Sequence, residues 1–334
     1  MGDLLPKVKV AAVQASPVFL NREATVGKAC RLIAEAAGRG AQLVVFPETW
    51  VPGYPVWSRF IPPLRVTKAL HRVWACLYRN AGEVPSLATE ELGQAARRAG
   101  VYVVIGINER EAQFGHGTLY NTLLYLDPRG RVLGKHRKLV PTFQERTVWG
   151  QGDASGLRVH PSPLGRLGGL ICWEHWMPLA RYTLYSQGEQ IHTALWPSSW
   201  AHDTVEGEMF QVASRHYAHE GRVFVIVACG YLTRDQLPAD FELAREAERW
   251  PHLLLHGGSA IIAPEGRYIA GPVYEGEETL YAELDLSEIA ENKMSLDVVG
   301  HYARPDLFRL IVNDRRQTPL ERQEARGWEE TVGG

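Results

Sequence analysis

Three stretches of this chain are apolar almost without alternation: "AQLVVFPE" (41–48), "RLGGLICW" (166–173) and "RVFVIVACGY" (222–231). A strand with one wet face alternates polar and apolar side chains. Runs of this kind therefore belong to a sheet that helices cover on at least one face. The segments between them carry helical periodicity. Val26, Cys30, Ile33 and Ala37 fall on one helical face, with Gly38 placed to end it. A helix over 87–99 puts Leu92, Ala96 and Ala99 on one face, with Gly100 after it. Two more helices are expected, one after Pro178 and one near 206–220 that ends at Gly221.

Further strands are read in "KVKVAAVQ", "VYVVIGI", "QIHTALWP", "GGSAIIAP" and "TLYAELDL". The stretch 118–138 is a hairpin turned at Asp127-Pro128-Arg129-Gly130, which makes the sheet mixed. The class is α/β. No Pro/Gly/Ser linker or internal repeat divides the chain, so 1–310 is read as one domain. Residues 311–334 are polar and charged, a tail that is disordered or packed on another subunit.

Sites in open α/β sheets gather at the carboxyl ends of strands. Glu48, Lys138 and Cys172 each end a separate strand-like run, so the three can meet in space. Their chemistry is coherent. A thiol is nucleophilic as its thiolate, a carboxylate can take and return the proton, and an ammonium stabilises the negative charge that develops on attack. A sharp strand-to-helix turn would expose the sulfur near a helix N-terminus, whose dipole favours the thiolate. Each residue also has an ordinary role open to it. Cysteine is commonly a buried small hydrophobe, Glu48 suits a loop or a cap, and "GKHRK" suits a basic surface. Cys30 and Cys229 fit the buried role, on a helix face and inside a strand, and Cys76 falls in a helix.

Other chemistries fit less well. "GRGAQL" lacks the third glycine of a dinucleotide fingerprint and precedes its strand, and no Walker lysine motif occurs. The histidines show no metal-ligand spacing, so no metal is expected. A Cys-His pair remains open, with His175 as the base, although three positions after the cysteine is an unusual place for it. The formal net charge of −2 implies no nucleic-acid or membrane partner, and the longest apolar run is too short to cross a bilayer. Four cysteines without paired spacing suggest a reduced, cytoplasmic protein.

Four motifs, "FPETWVPGYP", "KHRKLVPTFQERTVWGQGD", "GGLICWEHWMPLARY" and "GHYARPDLF", occur in an order that closely resembles the nitrilases of the carbon-nitrogen hydrolase superfamily. The resemblance spans nearly the whole chain. It implies an α-β-β-α sandwich with mixed sheets, and a triad of Glu48 as general base, Lys138, and Cys172 as nucleophile. It places Glu145 as an additional active-site glutamate. It makes Tyr54, Trp149, Trp173 and Pro197 wall residues, and His175, where many relatives carry asparagine, a position bearing on substrate preference. It implies a small-molecule nitrile substrate, no cofactor, and a homodimer or larger helical homo-oligomer. The wider aromatic set, Trp50, Trp57, Trp176, Trp196 and Trp200 included, suits an apolar nitrile if some of it lines a pocket. An amidase, a nitrile hydratase-like member and a non-catalytic scaffold of the same fold are the alternatives.

Overall fold

The computed structural model describes residues 5–62, 65–198 and 205–320. The first sheet takes β1 (Lys7–Gln14), β2 (Leu43–Val45), β3 (Tyr102–Arg110), β4 (Leu119–Leu126) and β5 (Val132–Arg137). The second takes β6 (His160–Ser162), β7 (Gly165–Ile171), β8 (Ile191–Trp196), β9 (Phe224–Cys229), β10 (Tyr231–Thr233), β11 (Leu253–Ile262) and β12 (Tyr268–Tyr274). The last strand, β13 (Glu278–Asp285), returns to the first sheet and pairs antiparallel with β1. Both sheets are mixed. β1–β2–β3 and β7–β8–β9 are parallel runs, and antiparallel strands extend each of them.

Alternation along β1 shows how the layers form. Val8, Val10 and Ala12 join the core between the sheets, where β1 lies against β9 and β11. Ala11 and Val13 point the other way, into a cluster with Val26, Ile33, Leu92 and Ala96. Those last four come from α1 (Arg22–Gly38) and from the helix over Leu87–Ala99. Two pieces precede the latter, the single turn α2 (Trp57–Phe60) and α3 (Lys68–Asn80), so it is α4. The outer face of the second sheet is covered by α5 (Pro178–Tyr185) and α6 (Val205–Gly221), α6 lying on β9 and β11. Two short helices, α7 (Ala244–Ala247) and α8 (Ser287–Lys293), complete the set among the described residues. The architecture is the expected α-β-β-α sandwich.

Local signals held with small offsets. Gly100 caps α4 in the left-handed region, and Pro178 opens α5. On α1 the expected face is rotated. The buried residues are Thr25, Val26, Ala29, Ile33 and Ala36, which leaves Cys30 and Ala37 half-buried. The helix also runs through Gly38 to a cap at Arg39, and Gly40 takes the positive φ. Short alanines pack against both α4 and the sheet, so periodicity alone did not fix the centre of the stripe. The described part of the tail, 311–320, has no helix or strand. Residues 321–334 and Trp200 lie outside the described residues.

Candidate active site

The sites are set by loops that leave strand ends under constraint. β2 stops at Val45, and Phe46-Pro47-Glu48 then cross over β3. Gly106 makes that crossing possible: a Cβ there would sit 2.3 Å from the Pro47 carbonyl and 2.7 Å from Glu48 Cα. Lys138 follows β5, its N–H bonded to the Asn121 carbonyl on β4. Cys172 follows β7 with φ of 53°, Thr49 next to Glu48 has φ of 42°, and Phe143 near Glu145 has φ of 44°. Non-glycine residues held in this region store about 1–3 kcal/mol each, and such strain gathers at functional sites.

The four reactive side chains converge. Lys138 Nζ donates to Glu48 Oε1 at 2.9 Å and to Glu145 Oε2 at 2.7 Å. Asn121 Nδ2 donates to the same Glu48 oxygen at 2.5 Å. Glu145 also accepts from the Tyr54 hydroxyl at 2.8 Å and the Thr142 N–H at 2.7 Å. A carboxylate oxygen from each glutamate and Cys172 Sγ lie within 4.8 Å of one another. Such a cluster could ligate a cation, but the Lys138 ammonium already lies against both carboxylates. Glu48 Oε2 is buried with no hydrogen-bond partner, so one lone-pair face is left for a proton from the thiol.

Burial dominates the electrostatics. It pushes the Glu48 carboxyl up to about 7; Lys138 opposes this and Glu145 reinforces it. Burial also pushes the Cys172 thiol well above its ordinary value, and Lys138 offsets this only in part. It works against the Lys138 ammonium too, but Cys172, Glu145 and Glu48 outweigh it and hold that pKa well above the usual lysine value. The resting site is therefore a thiol beside a base that titrates near neutrality. This corrects the expectation of an exposed sulfur at a helix N-terminus. Cys172 is 3% exposed, the turn over Cys172–Trp176 is a 3₁₀ helix, and α5 starts only at Pro178.

Cys172 and Glu145 line a cavity of about 830 Å³. Its walls include Tyr54, Trp173, Trp176, Trp196, Pro197 and Phe210. The expected walls Tyr54, Trp173 and Pro197 are therefore on the cavity, whereas Trp149 is not; nor is His175, the position expected to bear on substrate preference. Trp149 backs Tyr54 edge-to-face at 5.7 Å and donates its indole N–H to Asn108. His175 is fully buried, with Nδ1 on the Cys172 carbonyl at 2.7 Å rather than on the sulfur. Burial, with His192 beside it, pushes it down to about 3, so it is not a base for the thiol. Trp50 and Trp57 belong to the core.

Two residues escaped the sequence reading. Asn121 had no signal beyond its place in a hairpin strand. Glu174 was visible three positions after Ile171, the spacing at which a side chain can reach back to a backbone N–H at the start of a turn. Its carboxylate accepts from the N–H of Ile171, beside Cys172, and of Leu139, beside Lys138, each at 2.7 Å, and from His136 Nε2 at 2.9 Å. Burial works to raise its pKa, but His136 and the two N–H groups hold it below the ordinary range. Glu174 thereby ties the lysine loop to the cysteine turn.

A buried cysteine and glutamate on an aromatic-walled cavity, with a lysine and a second glutamate packed behind them on an α-β-β-α sandwich, define a class of cysteine-dependent hydrolase. The sequence profile of the carbon-nitrogen hydrolase family matches residues 9–294, and the chain belongs to that family. It is 42% identical over 318 residues to a nitrilase of Paraburkholderia phymatum, covering 94% of this chain and 88% of that one. It is 43% identical to an aliphatic nitrilase of Sinorhizobium fredii, over 95% of this chain and 99% of the relative. A bifunctional nitrilase/nitrile hydratase of Nicotiana tabacum is 41% identical, over 96% and 90%. The fold matches the crystal structure of Saccharomyces cerevisiae Nit3, a member of branch 10 of the nitrilase superfamily, with a TM-score of 0.66 at 21% identity. That match covers 90% of this chain and 98% of the other.

Proposed function

We propose that this enzyme is a nitrilase that hydrolyses an organic nitrile to carboxylic acid and ammonia. The observation that carries the reading is Lys138 bridging Glu48 and Glu145, whose carboxylates lie within 4.8 Å of the Cys172 sulfur, with Cys172 and Glu145 on the cavity. The named relatives support it. As the sulfur attacks the nitrile carbon, Glu48 Oε2 takes the thiol proton and returns it to the nitrile nitrogen, giving a thioimidate. Lys138 stabilises the developing negative charge. Water, deprotonated by Glu48, adds to give a tetrahedral carbon bearing sulfur, oxygen and nitrogen. Protonation of the nitrogen releases ammonia and leaves a thioester. A second water then releases the acid and restores the thiol. No cofactor is needed. The substrate-binding wall is Tyr54, Trp173 and Pro197, which favours an apolar alkyl or aryl group.

At the tetrahedral stage, loss of the thiolate in place of ammonia yields the amide. About 1.4 kcal/mol changes the ratio tenfold. Glu48, carrying the proton, and Glu145, whose charge favours an ammonium-like nitrogen, hold the partition toward ammonia. The expected products are mainly acid, with amide as a minor product that grows for electron-poor nitriles. A relative named for both activities supports a narrow margin. Ammonia release and chromatography with one aliphatic and one aromatic nitrile test this. Amide as the main product from both indicates a nitrile hydratase, and turnover of amides alone indicates an amidase.

The second reading concerns assembly. Leu307, Phe308 and Ile311 are 61%, 77% and 83% exposed along the C-terminal stretch. Side chains of that size favour cover from a second copy. The described part of the polar tail, 311–320, then lies at a subunit interface, and 1–310 forms the folded domain. Light scattering at micromolar concentration should give at least a dimer; a monomeric mass contradicts this. No helix among the described residues is long and apolar enough to cross a membrane. With four free cysteines, a reducing cytoplasmic location is part of this reading.

A further inference from the structure

Behind the cysteine turn runs a buried polar chain that the reaction as derived does not use. His175 Nδ1 meets the Cys172 carbonyl at 2.7 Å, and His175 Nε2 meets His192 Nε2 at 3.0 Å. His192 Nδ1 meets Glu189 Oε1 at 2.7 Å, and the Tyr217 hydroxyl donates to Glu189 Oε2 at 2.6 Å. None of these residues lines the cavity, and all are buried.

With both rings neutral, as their burial favours, counting donors assigns the protons. A carbonyl only accepts, so His175 Nδ1 carries a hydrogen. In a neutral ring His175 Nε2 is then bare, and His192 must donate from its own Nε2. A neutral His192 has a bare Nδ1, so the donor at the last link is the Glu189 carboxyl. The environment agrees. Burial pushes His192 well below its ordinary value and Glu189 up to about 8. The groups facing the chain are Glu174 and Arg181 near His175, Glu174 near His192, and the phenols of Tyr125, Tyr185 and Tyr217 near Glu189.

The glycine pair before the nucleophile makes the room. A Cβ on Gly168 would sit 1.9 Å from Glu189 Oε1, and one on Gly169 would sit 2.3 Å from Thr193 Oγ1. The chain ends on a useful group. The Cys172 carbonyl and the Trp173 N–H are opposite ends of one peptide plane. That N–H works to lower the Cys172 thiol's pKa, against the larger opposing effect of burial. Cys172 sits at φ of 53°, a conformation that persists only where its surroundings over-determine it.

We propose that Glu189, His192 and His175 are positioning residues: Glu189 in its acid form is the terminal donor of a chain that locks the Cys172–Trp173 peptide and so aims the Trp173 N–H at the sulfur. This rests on Cys172 being the nucleophile. Alkylation of Cys172 by iodoacetamide reads the thiol without turnover and separates the two ideas.

Glu189→Gln keeps a donor for His192 and an acceptor for Tyr217. Its kcat and Cys172 alkylation rate should stay within about threefold of the parent, the scale of one exchanged neutral hydrogen bond. Glu189→Leu keeps the volume and removes the donor. It should lose roughly tenfold to a hundredfold in kcat with little change in KM, and alkylation should slow and shift to higher pH. A folded Glu189→Leu with parental kcat and alkylation overturns the proposal, as does a Gln variant that loses more than about tenfold.

Stability adds a readout that needs only the Gln variant. An acid whose folded pKa is raised contributes fully below its unfolded value and loses that contribution as pH rises through the folded value, here about 8. Glutamine has no such proton, so the Tm of Glu189→Gln relative to the parent should climb from about pH 5 to about pH 9. A gap independent of pH means that Glu189 is not the proton carrier.

Discussion

Cys172→Ala is expected to lower kcat by roughly five to six orders of magnitude, the scale seen when a covalent nucleophile is deleted, while the chain stays folded. Alanine retains the backbone and Cβ, and removes one buried sulfur. The cavity left behind costs about 1–2 kcal/mol at most, as small core truncations do. Glu174 still ties the turn to the lysine loop through Ile171 and Leu139, and His175 still holds the carbonyl. Cys30→Ala, on the half-buried flank of α1, is the control and should keep full activity. Ammonia release read beside thermal melting separates the two variants. Substantial turnover by folded Cys172→Ala contradicts the assignment of the nucleophile.

Lys138→Met is expected to damage both activity and fold. The ammonium and the Glu48 carboxylate are wholly buried, and Glu145 is nearly so. Removing the cation leaves two carboxylates facing one another, a loss of about 3–5 kcal/mol for breaking a buried ion pair from one side. The sign of the pH dependence follows. Lys138 opposes the rise of Glu48, so its removal lifts Glu48 further above about 7. A carboxyl raised in this way stabilises the fold below its unfolded pKa and loses that contribution as pH rises through the folded one. The variant should be least destabilised in acid. The acid limb of kcat/KM, set near pH 7 by Glu48 in the parent, should move to higher pH, with the residual rate down at least roughly a hundredfold from loss of charge stabilisation. Melting curves and pH–rate profiles measure both. Parental Tm and an unmoved limb would show that Lys138 is not coupled to Glu48.

Much of this was legible in the sequence because it depended on local chemistry. Unalternating strands announced covered sheets, Gly100 and Pro178 marked helix ends, and the strand ends allowed Glu48, Lys138 and Cys172 to meet, a site that the family motifs then assigned. What was hidden depended on distant partners. Nothing in a hairpin strand marks Asn121 as the residue that bonds Glu48 across β3. The neutrality of His175 comes from burial beside His192, seventeen positions away, so its place three positions after Cys172 left open a base role that the fold does not give it. Trp149 lies one layer behind Tyr54 for the same reason: aromatic density shows that rings cluster but not which ring faces the void. The sulfur's burial was likewise unreadable, because the cavity it lines is assembled from separate segments around Tyr54, Trp173 and Trp196.

The account stands on a covalent bond between substrate carbon and Cys172 Sγ. The direct measurement is mass spectrometry of enzyme quenched in acid during turnover of a slow nitrile, with peptide mapping of all four cysteines. The account predicts a thioimidate or acyl adduct on the Cys172 peptide alone, absent in Cys172→Ala and discharged when the substrate is exhausted. An adduct confined to Cys30, Cys76 or Cys229, or turnover with no adduct at Cys172 under conditions where deacylation is rate-limiting, would contradict it.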